Sequence, residues 1–291
     1  MGAPQQGGAT ARYGTMRFAA RSSAARRRLA RAILRHLGLQ ADRRQPWPEE
    51  ADVREKVIGV LGGMGPEATL ELFGRILKLS GALTDQEHLR ILIDNNPKIP
   101  SRTLAFQGKG PSPVPELRRS ARALERAGAD FIVIPCVTAH YFHAPLSRST
   151  RIPIVHLVRE AASFVQARYP AVRAVGLLAT TETLAAGLFQ DAFAGTAITA
   201  LTPSAGFQKQ RVMHAIFATK GVKAVGPTPW SKGLIVDAAN ALISRGARLI
   251  IVGCTEVSLV LRDGDLSVPI VDALTVLARV AVERARGRPA G

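Results

Sequence analysis

From Val57 onward, short solid apolar runs alternate with longer stretches whose apolar residues recur every three or four positions. The short runs predict strands at Lys56–Leu61, Arg90–Asp94, Phe131–Pro135, Ile154–His156, Ala174–Leu178, Ala197–Leu201, Leu249–Gly253 and Ile270–Asp272. The longer stretches predict helices between them. Pro66–Leu79 is the clearest, with proline in its first turn and Leu70, Phe73, Ile76 and Leu77 on one stripe. Others are Pro115–Ala127, His156–Arg168, Glu182–Phe193, Gln208–Thr219 and Lys232–Arg245. Strand and helix in alternation is the signature of an α/β fold with mainly parallel sheets.

The pattern also repeats. GADFIVIPCVTAHY (128–141) and GARLIIVGCTEVSLV (246–260) each run from a Gly-Ala turn through an apolar strand to a cysteine followed by threonine. Upstream, VIGVLGG (57–63) pairs with AVGLLAT (174–180). Gly59 and Gly176 are 117 residues apart, and Cys136 and Cys254 are 118 apart. A repeat kept in register over that distance suggests two similar α/β lobes, and if these face each other across a cleft the two thiols can flank one small molecule. Residues 56–153 with 268–291 are assigned to the first lobe and 154–267 to the second, each presenting one sulfur at the carboxyl end of a strand. Ligands of such sheets bind beyond those ends, so the segments to examine directly follow strands.

Composition narrows the class. The 291 residues are 47% hydrophobic and 21% charged, enough for a sizeable core, and no apolar stretch reaches the roughly 20 residues of a membrane span. Of the net charge of +17, residues 1–41 carry +8 with no acid, 42–56 carry −1, and the remaining +10 is interleaved with acids. That spread argues against a nucleic-acid or membrane partner and leaves an anionic small molecule as one use for the excess. Residues 1–55 are read as a basic extension without a fold of its own, an Arg-rich organelle-targeting segment being the alternative. Two cysteines make neither a disulfide framework nor a zinc site, so reduced thiols in a cytoplasmic protein are expected.

Four segments could carry chemistry. GGMGPEAT (62–69) places Met64 and Gly65 between a strand and a helix, where backbone N–H groups can face an anion or simply close a tight turn. The proline-braced DNNPKIPSRT (94–103) carries Arg102, whose guanidinium suits a carboxylate. The strongest pair is PCVTAH and GCTE, where Cys136 and Cys254 can act as proton carriers and His140 and Glu256 as their tuning partners. Thr138 and Thr255 offer hydroxyl and backbone donors, and Thr180–Thr183 echoes the first loop in the second lobe.

Together GVLGGMGPEAT, DNNPKIPSRT, IPCVTAHYF, LLATTETLAAGLFQ and IVGCTEVSLVL resemble the aspartate/glutamate racemase superfamily, in its aspartate racemase and broad-specificity amino-acid racemase branch, over Val57 to about Glu283. The resemblance implies a homodimer that racemises an amino acid without pyridoxal phosphate or metal. It implies Cys136 and Cys254 as the catalytic thiol and thiolate, Arg102 on the substrate's side-chain carboxylate, and Thr138 and Thr255 at its α-carboxylate. Met64, Gly65, Thr180 and Thr181 join them, and Lys220 matches the assisting lysine, with Lys223 its rival. Two positions depart from the family pattern: Val137 replaces an asparagine and Glu182 a glycine. Alternatives are another reaction on this scaffold, such as maleate isomerase-like, hydantoin racemase-like or arylmalonate decarboxylase-like chemistry, or a racemase-like amino-acid-binding protein.

Overall fold

A computed structural model describes residues 54–287, so all but the last two residues of the basic extension lie outside the described residues. The first half runs β1 (Ile58–Gly62), α1 (Pro66–Ser80), β2 (Ile91–Asn95), α2 (Arg102–Phe106), α3 (Val114–Arg126), β3 (Phe131–Val133), a 3-10 turn (Thr138–Phe142), α4 (His143–Ser147) and α5 (Leu157–Arg168). The second runs β4 (Ala174–Leu178), α6 (Thr181–Ala185), α7 (Leu188–Ala192), β5 (Thr199–Leu201), a broken helical run from Ala205 to Phe217, α8 (Pro229–Ser244), β6 (Ile250–Val252), α9 (Val257–Val260), β7 (Ile270–Asp272) and α10 (Ala273–Ala285).

Every strand pairing is parallel. One sheet has the order β2-β1-β3, extended beside β3 by a single bridge from Ile132 to Ile154; the other has the order β5-β4-β6-β7. The strands read as solid apolar runs because both of their faces are covered. Phe131 and Val133 point into a central core shared with Leu177, Leu249 and Ile251, whereas Ile132 and Ile134 point the other way onto Leu117, Ala121 and Leu124 of α3. In the second sheet Ile250 and Val252 likewise face Ile235, Ala238 and Leu242 of α8. Helix α10 lies in the central layer against α1 and α5 and joins the two sheets into one body.

Four sequence expectations change. Residues 268–291, assigned to the first lobe, are divided: β7 pairs with β6 in the second sheet, while α10 packs on α1 of the first half. Ile154, assigned to the second lobe, bridges the first sheet, and the expected strand Ile154–His156 shrinks to that bridge because His156 already caps α5. The helix expected over Glu182–Phe193 breaks at Gly187, whose φ of 66° ends the α6 geometry. Helix α8 begins at Pro229 rather than Lys232, since Thr228 and Ser231 form a reciprocal cap with proline at the first position.

Candidate active site

Equivalent strands deliver the two sulfurs. Cys136 lies three residues beyond β3 and Cys254 two beyond β6; both are free, 6% and 5% exposed, and both line one cavity of about 310 Å³. First-lobe residues of that cavity include Met64, Arg102 and Thr138, and second-lobe residues include Thr180, Lys223, Thr255 and Glu256. A volume at the small end of the roughly 300–1,000 Å³ seen for ligand pockets suits a small metabolite.

Around Cys254 the electrostatics are explicit. Its Sγ donates to Glu256 Oε2 at 3.0 Å, and Glu256 Oε1 is ion-paired with Lys223. Burial first, then the charge and hydrogen bond of Glu256, push the Cys254 thiol well above the usual cysteine range, so the group is held as S–H. Burial would lower the Lys223 pKa, but Glu256, followed by Cys254 and Cys136, raises it. Lys223 is therefore a cation on the wall of the cavity that both cysteines line.

His140 acts differently from a tuning partner. Leu157 N–H donates to Nε2 at 3.1 Å, which leaves the proton on Nδ1 to donate to the Cys136 carbonyl at 2.9 Å. Burial, with the nearby His143, lowers its pKa to about 4, so the ring is neutral and braces the backbone of Cys136 instead of its sulfur.

Hydroxyls link the lobes at the cavity. Thr138 Oγ1 lies 2.9 Å from Thr183 Oγ1 and 3.4 Å from Thr180 Oγ1, and Thr180 and Thr183 are 3.1 Å apart. Arg102 opens α2 behind the Ser101 cap. Its Nη1 donates to the carbonyls of Ile99 (3.1 Å) and Pro100 (2.9 Å) and its Nη2 to that of Met64 (3.4 Å), while its buried Nε–H has no partner among the described residues. The guanidinium is thus clamped on three carbonyls at the cavity wall.

The glycine-rich turn supports this wall more than it offers free donors. Gly63 N–H is taken by Thr69 Oγ1 at 3.0 Å, and at φ 91° a Cβ on Gly63 would lie 2.3 Å from the carbonyl carbon of Asn96. The turn thus packs directly on the Asp94–Thr103 segment and sets Met64 in the cavity.

Not every expected residue arrives. Lys220 is exposed and off the cavity; the turn at Gly221 separates it from Lys223, which lines the cavity. Thr181 is exposed, with its N–H on Met213 Sδ, and Gly65 lies outside the wall, beside the Lys223–Glu256 pair. Val137 does line the cavity. Glu182 does not: its Oε1 accepts from Gln107 Nε2 at 2.7 Å, a contact between α6 and the end of α2. Ile99, Ser101, Thr103 and Phe217 line the cavity and were missed as individual site residues; Thr183 lies behind the wall, bonded to Thr138 and to the capping Thr180. Among the described residues no group of three or more His, Cys, Asp or Glu side chains is arranged for a metal, and no helix is long and apolar enough to cross a membrane.

Comparison with known proteins gives one answer. The profile of the Asp/Glu/hydantoin racemase family matches residues 61–281. The broad specificity amino-acid racemase RacX of Bacillus subtilis (strain 168) is 27% identical over 234 residues, spanning 78% of this chain and 96% of that protein. Among solved structures, Picrophilus torridus aspartate racemase superposes with a TM-score of 0.70 at 23% identity, over 79% of this chain and 94% of that one. An aspartate racemase homologue from Pyrococcus horikoshii OT3 gives 0.62 at 25%, over 79% and 99%.

Proposed function

The chain belongs to the Asp/Glu/hydantoin racemase family, an isomerase family, and from that premise we propose that it racemises a free amino acid by two-thiol proton transfer without a cofactor. The observation that carries this reading is the convergence of Cys136 and Cys254, one from each sheet, on one cavity that also holds Arg102 and the threonines. One cysteine, as thiolate, takes the α-proton; the other, as thiol, returns a proton to the opposite face. The Glu256 contact keeps Cys254 protonated, so the resting assignment is Cys254 as donor and Cys136 as base.

An amino acid's α-hydrogen is far less acidic than a thiol. The carbanion is stabilised by placing the α-carboxylate among the donors of Thr138, Thr180 and Thr255. Arg102, whose guanidinium side chain lines the cavity, takes a second carboxylate, which favours an acidic amino acid, and Lys223 adds positive charge to the same cavity. Glu182 keeps its carboxylate off the cavity wall, bonded to Gln107.

The test is incubation of the reduced protein with L- and D-aspartate and a panel of other amino acids in deuterated water, read by proton NMR and chiral chromatography. Racemisation with α-deuteration is expected, and Cys136→Ala and Cys254→Ala each abolish inversion while sparing exchange from one enantiomer. Full turnover by either variant would end the two-thiol account. Gel filtration at micromolar concentration checks the homodimer that completes this proposal.

A further inference from the structure

Each cysteine is anchored by a polar residue four positions later, and the two anchors differ in where they lead. In the first lobe His140 Nδ1–H holds the Cys136 carbonyl, and its ring lies 5.1 Å from that of His156, the cap of α5. In the second lobe Ser258, 1% exposed, donates its amide N–H to the Cys254 carbonyl at 3.2 Å. Its hydroxyl donates to Asp272 Oδ1 at 2.7 Å, and Asp272 caps α10 through Leu274 N–H at 2.9 Å. Cysteine, anchor and helix cap thus recur in both halves, 118, 118 and 116 residues apart.

The second-lobe chain continues across to the first. Asp272 Oδ2 is ion-paired with Arg75, and both side chains are only 14% exposed. Arg75 also donates to Thr275 Oγ1 at 2.6 Å and to the Ser258 carbonyl at 3.2 Å, where Arg262 joins it. Arg75 sits on α1, the helix that begins directly after Met64, a residue of the cavity wall. One end of the chain therefore holds the backbone of Cys254, and the other is rooted in the helix that carries the opposing wall.

We propose that Arg75, Asp272 and Ser258 are positioning residues that set Cys254 against the substrate in the cavity, an inference that rests on the two-thiol reading. None of the three lines the cavity. A largely buried ion pair is weak evidence of stability, since its desolvation cost offsets its attraction, and its best-attested use is to fix one geometry among several. Geometry is what proton transfer needs: a misplacement of about 1 Å costs on the order of a hundredfold in rate.

The proposal separates this role from a merely structural one because only one of the two thiols is on the chain. Loosening Cys254 leaves Cys136 able to remove an α-proton, exchange it with solvent and return deuterium to the same face. The test uses the full-length chain and the L- and D-forms of whichever amino acid the wild type turns over fastest, with inversion and α-deuteration measured separately. Ser258→Ala and Arg75→Met are expected to lower the kcat of racemisation by roughly tenfold, well within the range that such misplacement allows, with KM within twofold. Exchange without inversion persists for one enantiomer, the same one that keeps exchanging in Cys254→Ala. Arg75→Lys, which keeps a cation for Asp272, recovers part of the inversion rate.

Ser258→Ala leaves the ion pair intact, so it decides the matter if Arg75→Met does not fold. The proposal is overturned if inversion and exchange from both enantiomers fall together, or if a folded Ser258→Ala protein inverts at the wild-type rate. A wild-type protein that exchanges no α-proton would instead overturn the two-thiol reading.

Discussion

Acid should unfold this protein through His140. Its ordinary pKa is about 6.5 and burial lowers it to about 4 in the folded chain. Protonating Nε2 would also set an N–H against the Leu157 N–H that now donates to it. A base whose folded pKa is depressed contributes its full stability above the unfolded value, and that contribution falls as pH drops below 6.5 and is gone below about 4. The gap of about 2.5 units corresponds to roughly 3 kcal/mol, of which about 2 kcal/mol is already lost at pH 5. Against a typical total of 5–15 kcal/mol this is a large loss. The assay is urea denaturation at pH 7.5, 6, 5 and 4.5 for the wild type and for His140→Asn, whose amide still donates to the Cys136 carbonyl but does not titrate. His156, lowered to about 3 by burial and by His140, adds to the acid sensitivity of both proteins, so the difference between their pH slopes reports His140 together with its effect on His156. Parallel slopes would refute the reasoning. An asparagine variant that loses stability faster than the wild type on acidification would refute it as well.

Removing the charge of Glu256 lowers the Cys254 thiol pKa, because that charge helps to raise it. Glu256→Gln should therefore move the alkaline limb of the pH–rate profile to lower pH; an unmoved limb would mean that the Cys254 proton is not used. Gln107→Leu removes the partner of Glu182 Oε1 and leaves a buried carboxylate unsatisfied. The expected destabilisation is about 1–3 kcal/mol by urea titration, with Glu182→Gln in the same background restoring most of it. Thr228→Ala deletes the capping box of α8 and should lower stability by about 1 kcal/mol without changing KM.

Much of this fold was legible in the chain. All seven strands fall within the predicted runs or one residue beyond, because a strand covered on both faces is written as an uninterrupted apolar run whatever its neighbours are. Long helices with a proline start, such as α1, were legible for the same local reason. The helical region at 205–217 was less so: Gln208–Met213 adopts a π-helical stretch, and the run stops at Phe217 where Ala218 turns extended, neither of which periodicity encodes. Helix α8 was entered three residues late because PTPWS reads as a loop until Thr228 and Ser231 are seen to bond each other.

At the site the division is similar. That Cys136 and Cys254 end equivalent strands follows from the repeat, and Arg102 and the threonines follow from their positions after strands. Which lysine lines the cavity does not: Lys220 and Lys223 are separated by a turn whose direction depends on packing against the helical run before it. Nor does any local signal reveal that Glu182 bonds to Gln107, or that Ser258, Asp272 and Arg75 form one chain across 197 residues of sequence.

The amino-acid sequence by itself determined the alternation of elements, the two-fold repeat and the identity of the paired thiols, because each depends on side-chain periodicity within a dozen residues. Only the tertiary structure decided that β7 joins the second sheet while α10 packs on the first half, and hence which distant side chains meet at the cavity. Strand order and helix crossing are set by burial of surfaces against one another, a property of pairs of elements that no single segment carries.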